Sequence, residues 1–237
     1  MDATATAVGM RAMSLKRQQE LCLDGIETSL TMARVAYSRL ELGLAWHSER
    51  TTQNLHERIL DLEGLILLDA WSLIDTANRL RVLVCRAPGL EQNAFVAAFL
   101  RATEDVRKLR NFVQHLHGEM TSLEETGRTI WGSLSWLWVS PQMLKRGTVA
   151  TMLMIPGRLA KSGGYPGVNP VGKRVIPPLG HICLFAADTV VNLSEISRAS
   201  MLFGDRFEAA LERARNTSLE YSGAVEQEAF LHIVLEA

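Results

Sequence analysis

Residues 109–117 read L-R-N-F-V-Q-H-L-H. Arg110 carries a guanidinium that is always charged and that grips oxyanions through a fixed fork of N–H donors. His115 carries a group that titrates near neutral pH and can give or take a proton. Asn111, between them, can hold an oxygen or orient the imidazole. An anion clamp beside a proton-transfer group suits chemistry on a phosphate ester. On an ideal helix, at ~100° per residue, Asn111 and His115 stand one turn apart. Arg107 continues the same line one turn earlier. Arg110 lies on the flank, roughly ~140° from His115 on that wheel. Helices have solvated faces that ordinarily hold Arg, Asn and His, so spacing alone supports that plainer reading as well.

These side chains need a helix to position them, and the sequence supplies one over residues 91–121. Phe95, Phe99, Ala102, Val106, Leu109, Val113, Leu116 and Met120 alternate spacings of four and three, one apolar stripe opposite Asn111 and His115. His117 falls beside that stripe and reads as packed against the core. Before it, a long helix over 14–48 repeats Leu23, Ile26, Leu30, Ala33, Tyr37, Leu40 and Leu44 at the spacing of a bundle seam. A second helix, capped by Thr51 or Thr52 and stopped by Pro88-Gly89, is apolar on most sides and reads as central. Asp69 interrupts its apolar run. A buried carboxylate needs a partner, and an arginine or histidine of the next helix is the expected one. Asp75 and Arg79 are four apart and read as a surface pair.

L-R-N-F-V-Q-H resembles the signature of the HEPN superfamily of small helical-bundle proteins. That signature is an arginine, a polar residue directly after it and a histidine four to six intervening residues later. The preceding helix, L-I-L-L-D-A-W-S-L-I-D-T-A-N-R-L-R over residues 65–81, resembles the acidic-and-Arg helix that precedes the motif helix in that superfamily. The likeness covers roughly residues 15–120, together with the helix near 194–217. It implies a metal-independent ribonuclease in which two motif helices face one another across a dimer. One departure stands out: HEPN toxins paired with nucleotidyltransferase antitoxins carry a tyrosine two residues after the histidine, and here that place is His117. Control by nucleotide transfer onto that tyrosine does not carry over.

The composition changes after the motif. Between Thr126 and Ala187 there is no Asp or Glu, while seven of the 25 Lys and Arg fall there: Arg128, Lys145, Arg146, Arg158, Lys161, Lys173 and Arg174. The rest of the chain therefore carries 18 basic against 26 acidic residues. Six of seven prolines and nine of 17 glycines lie in the same stretch, which rules out long helices there. Strands are expected over 129–140, 148–156 and 180–187, with a Gly/Pro-rich loop at 157–178. The aromatic alternation Trp131, Trp136, Trp138 reads as sheet-to-helix core in preference to a base-stacking surface. Gly167 to Arg174 imitates a phosphate-binding P-loop. Arg174 replaces the required hydroxyl, and Val-Ile-Pro-Pro follows where a helix should start, so the imitation is set aside.

The expected fold is mainly α (α+β): a disordered N-terminus over 1–13, an antiparallel HEPN-like bundle over 14–125 and 192–220, and a basic antiparallel β insertion over 126–191. A tail over 221–237 offers a possible edge strand. Cys22, Cys85 and Cys183 match no zinc or redox spacing and read as reduced thiols. No run has the length of a membrane span, and the N-terminus lacks a signal-peptide core, so a cytoplasmic protein with no cofactor and no metal is expected. Arg110, Asn111 and His115 are the expected catalytic set, with Asp69 supporting them. Arg107, Lys145, Arg146, Arg158, Lys161, Lys173 and Arg174 are the expected contacts to single-stranded or loop RNA. The expected assembly is a homodimer through the motif helix, with an antitoxin or defence-complex protein as a further partner. The rival readings are a non-catalytic bundle that binds a protein, and an RNA-binding module without cleavage.

Overall fold

The computed structural model describes residues 3–53, 60–87, 90, 93–126, 128–157, 166–186 and 188–221. In chain order the elements are α1 (Ala3–Thr52), α2 (Leu60–Arg86), α3 (Ala94–Ala102), α4 (Glu104–Gln114), α5 (Leu116–Thr126), β1 (Ser133–Trp138), α6 (Pro141–Arg146), β2 (Ala150–Met154), β3 (Leu179–Ala186), β4 (Thr189–Asn192) and α7 (Leu193–Tyr221). The fold is mainly α with a small antiparallel sheet before the last helix. Helix α1 begins at Ala3, so the disordered segment expected over 1–13 is largely its opening turns. Thr51 and Thr52 belong to the end of α1, where their hydroxyls donate back to the carbonyls of His47 and Glu49. Arg158, Lys161 and the proposed tail strand lie outside the described residues.

Helices α1 and α2 run antiparallel along the seam expected of α1. Ile26, Leu40 and Leu44 are fully buried, as are Leu73, Ile74 and Leu80 of α2. Close approach needs small residues: a Cβ on Gly43 would sit 2.8 Å from the Ile66 side chain, and one on Gly25 would sit 3.0 Å from Leu83. Helix α2 is central, touching α1, α4 and α7. Its outer side nevertheless exposes Leu65 and Leu68.

The expected single motif helix is three helices. Thr103 interrupts it first: its hydroxyl donates to the Phe99 carbonyl at 2.7 Å and accepts from Arg81 Nη1 at 2.7 Å. Arg81 also pairs with Glu104 at 3.0 Å. A buried polar residue tied to α2 therefore sets a kink. His115 interrupts the run again, with φ −107° and ψ 18°, its N–H shared by the carbonyls of Asn111 and Phe112. The buried positions become Phe99, Thr103, Val106, Leu109 and Phe112. Ala102, Val113 and Met120, expected in the stripe, are exposed, and so is His117.

The sheet has the order β2-β1-β3-β4, all antiparallel. Central strand β1 is buried on both faces. Leu134, Trp136 and Trp138 point into the helical core with Ile182 and Leu184, and the Trp136 indole donates to Ser48 Oγ at 2.9 Å. The aromatic alternation is thus core for Trp136 and Trp138. On the other face, Leu137 and Cys183 are covered by Val168 and Val175 of the Gly/Pro-rich loop. That loop is pinned by the Val168 N–H donating to Ser135 Oγ at 2.9 Å and Thr151 Oγ1 donating to the Val168 carbonyl at 3.0 Å. Register between β1 and β3 slips past Ser135, beside His181 at φ 53°, a bulge that bends the strand.

Candidate functional site

The motif sits where α4 ends against α2. Arg110 Nε donates to Asp75 Oδ1 at 2.8 Å, and Asp75 Oδ2 accepts from Arg79 Nε at 2.7 Å. The carboxylate of the preceding helix therefore serves two guanidiniums, leaving one surplus positive charge beside the motif. The Asp75–Arg79 pair expected from spacing is present, and Arg110 extends it. The Gln114 amide oxygen, turned towards Arg110, accepts from Nη1 at 2.7 Å and Nη2 at 3.3 Å. Three of the five guanidinium N–H groups are then engaged, and the side chain is 29% exposed. Arg110 is held by α2 and by its own helix, with two N–H groups outside these bonds.

His115 and Asn111 are exposed. Because His115 is the C-cap of α4, the ideal wheel ceases to apply at the histidine itself. Its side chain leaves from a cap geometry, and its carbonyl accepts the Gly118 N–H at 2.8 Å where α5 begins. His115 thus stands exposed on a helix break, five residues from the clamped Arg110. Arg107, one turn before Asn111, is exposed and pairs with Glu104 at 3.3 Å.

Asp69 takes a different partner from the one expected. Its carboxylate, 9% exposed, pairs with Arg39 of α1 at 3.3 Å, not with a residue of the motif helix. Burial raises its pKa, and Arg39 opposes that rise. On α2 the carboxylate that supports the motif is Asp75.

Among the described basic residues of the insertion, Lys145, Arg146, Lys173 and Arg174 lie on separate parts of the sheet. Lys145 and Arg146 end α6, a single turn built by Ser140 accepting the Met143 N–H at 3.2 Å, by Pro141 and by Gly147 at φ 63°. That turn follows Trp138, which pairs with Ala150 and Leu179, so it lies at the far end of β1 from Ser133. Lys173 and Arg174 are exposed on the loop covering the outer face of the sheet. Arg174 is fixed through its carbonyl, 3.0 Å from His181 Nε2. The P-loop imitation is a turn closed by Val171 N–H to Asn169 Oδ1 and Lys173 N–H to the Pro170 carbonyl, and no helix follows it.

At the Ser133 end of β1 the chain makes a tight turn, 129–132, that sequence reasoning passed over. Thr129 Oγ1 donates to the Gly132 carbonyl, and the Gly132 N–H donates to the Thr129 carbonyl at 3.1 Å. The Trp71 indole of α2 donates to the Trp131 carbonyl at 3.2 Å. Gly132 has φ +75°, and a Cβ there would fall 2.3 Å from the Phe185 carbonyl oxygen, so only glycine fits. Trp71 and Asp75 are one turn apart on α2, which ties this turn to the motif.

Among the described residues no group of three or more His, Cys, Asp or Glu could hold a metal ion, and no helix is long and apolar enough to cross a membrane. Comparison of the chain with known protein families, with characterised proteins and with solved structures gives no match.

Proposed function

We propose that the protein is a HEPN-like, metal-independent ribonuclease acting on single-stranded or loop RNA, with Arg110, Asn111 and His115 as its chemical set. The observation that carries this reading is the ion pair between Asp75 and Arg110. It ties the acidic helix to the motif helix and fixes the anion clamp on the helix that ends at the exposed His115. In the reaction His115 takes the proton from a 2′-hydroxyl, and the 2′-oxygen bonds to the phosphorus. The bond from phosphorus to the 5′-oxygen breaks, and that oxygen receives a proton, leaving a 2′,3′-cyclic phosphate. Arg110 offsets the charge that builds on the phosphoryl oxygens, and Asn111 holds one of them. One imidazole cannot be both base and acid in a single step. Two copies related by a twofold axis would supply the second, the partner's His115. A defence or toxin–antitoxin setting is the natural context for such a nuclease.

The rival is a bundle that binds a partner protein without chemistry. It draws on the same geometry, since an arginine already engaged by Asp75 and Gln114 is also a strut between helices. Cleavage of a mixed RNA pool in EDTA separates the two. The parent protein is expected to cut, and His115→Ala to abolish cutting with its melting temperature nearly unchanged, because the residue is exposed. A His115→Ala protein that cuts at the parent rate ends the nuclease reading.

A further inference from the structure

Trp131 stands apart from the other tryptophans. Trp136 and Trp138 are 0% and 2% exposed, in the core. Trp71 is half-buried and uses its indole N–H on the turn. Trp46, on α1, lies beneath the Arg50 guanidinium, 4.9 Å from the ring centroid. Trp131 is 55% exposed. Its backbone is fixed nonetheless: the two hydrogen bonds between Thr129 and Gly132, the Trp71 indole on its own carbonyl, the obligate glycine after it, and the Arg128–Asp188 ion pair just before it. A large aromatic ring left in water on an immobilised turn is a prepaid binding surface, because little backbone entropy remains to be lost when something stacks on it.

Its position identifies the ligand. The residue holding the Trp131 carbonyl, Trp71, and the residue holding Arg110, Asp75, are four apart on α2. Such side chains are neighbours on a helix surface, about 5–6 Å apart at Cβ. The turn that carries this ring is therefore anchored one helical turn along α2 from the carboxylate that two guanidiniums share. A π-face next to a surplus positive charge complements a base attached to its phosphate. A protein partner would have to bring an apolar group for the ring and a separate carboxylate for that charge, whereas a single nucleotide carries a π-face and an anion together. We infer that the Trp131 indole is a stacking platform for an unpaired RNA base whose adjoining phosphate lies against Arg110. This rests on the ribonuclease reading and adds to it the group that selects single strands, since a paired base keeps its faces inside the duplex.

The test uses the full chain, a single-stranded oligoribonucleotide of mixed sequence blocked by 2′-O-methyl groups, and the same strand in a duplex. Binding is read by fluorescence anisotropy, and cleavage of the unblocked strand is measured in parallel. Trp131→Ala is expected to weaken single-strand binding about 10-fold or more, the size of one lost base stack. Trp131→Phe is expected to restore most of it, and duplex binding is expected to stay unchanged in both. Difference fluorescence between the parent and Trp131→Phe should show quenching of Trp131 on binding. If Trp131→Ala binds the single strand within twofold of the parent while His115→Ala still abolishes cleavage, the platform is refuted and the nuclease stands. If Trp131→Ala instead dissociates the protein's own oligomer and leaves RNA affinity alone, the ring is a protein contact. A parent that neither binds nor cuts RNA overturns both readings.

Discussion

Replacing Asp75 by Asn separates the structural share of the Asp75–Arg110 pair from its chemical share. The carboxylate, 36% exposed, holds Arg79 at 2.7 Å and Arg110 at 2.8 Å. Arg79 is 68% exposed, so that pair resembles a surface i,i+4 bridge worth ~0.3–0.5 kcal/mol. Arg110 is less exposed, and its charge-assisted bond is worth about 1 kcal/mol after solvent screening. Asn keeps the shape and one acceptor oxygen, so the expected stability loss is about 1 kcal/mol. In a chain of this length that lowers the melting temperature by roughly 2–4 °C. The effect on cleavage should be much larger. Without the charge, Arg79 and Arg110 are left to share one neutral acceptor oxygen and Arg110 relies mainly on Gln114 of its own helix, and displacing a clamp by about 1 Å can cost 10²-fold in rate. The assay is single-turnover cleavage beside a thermal melt, with Arg110→Gln and the double variant completing a cycle. Strong non-additivity in rate is expected, because either change alone already misplaces the clamp. A normal rate in Asp75→Asn refutes the positioning argument. A faster rate also refutes it, since Asp75 would then be masking Arg110 instead of aiming it.

Two further predictions concern the fold that presents the site. Gly132→Ala places a Cβ against the Phe185 carbonyl at a left-handed φ, so it should cost on the order of 2 kcal/mol or more, read as a drop in melting temperature with loss of RNA binding. Tyr37 donates to Ser194 Oγ at 3.0 Å, and burial pushes its pKa up to about 12. The unfolded chain ionises first, near pH 10, so stability from Tyr37 is complete below pH 10 and is lost between 10 and 12. Burial also lifts the Cys183 thiol to about 11, adding a loss that starts near pH 9. Tyr37→Phe should therefore flatten only the upper part of the alkaline stability curve, measured by denaturant unfolding, and an unchanged curve would count against the buried-phenol account.

The parts of the fold that periodicity controls were legible in the sequence. The α1 seam appeared at Ile26, Ala33, Leu40 and Leu44, and these residues are buried. The three expected strands match β1, β2 and β3 within a few residues. Where the reading failed, a local signal was outvoted or a tertiary contact decided. The sequence Ser140-Pro141 with Gly147 after Arg146 spells a capped helical turn, yet the surrounding β-rich composition drew the reading past α6. Thr103 followed by Glu104 and Asp105 is a helix start, hidden because the apolar residues on either side kept a helical spacing. The break at His115 has no glycine or proline to announce it. Asp69 was rightly marked as needing a partner, but no pattern in the chain says whether α1 or α4 lies beside it.

The basic insertion needs a different account from the one its sequence invites. A segment without carboxylates reads as one positive surface, but folding distributes it. Its apolar residues fill two opposite faces of β1, and the charges are left at the margins. Arg128, beside the Trp131 turn, pairs with Asp188, just beyond the acid-free stretch. Lys145 and Arg146 lie past the other end of β1, and six residues of strand span roughly 20 Å. Lys173 and Arg174 ride on the outer cover of the sheet, opposite the helices. Lys145, Arg146, Lys173 and Arg174 are therefore spread over different margins of the sheet and form no single phosphate grip in one chain. On the proposed ribonuclease reading, long-range attraction of RNA would fall to the insertion and should be screened by salt. On the same reading, holding the reacting phosphate would fall to Arg110, whose surroundings are set by α2. The two tasks occupy different elements, so they should respond to different perturbations: salt and loss of Lys173 and Arg174 should act on encounter, and changes at Asp75 on the chemical step.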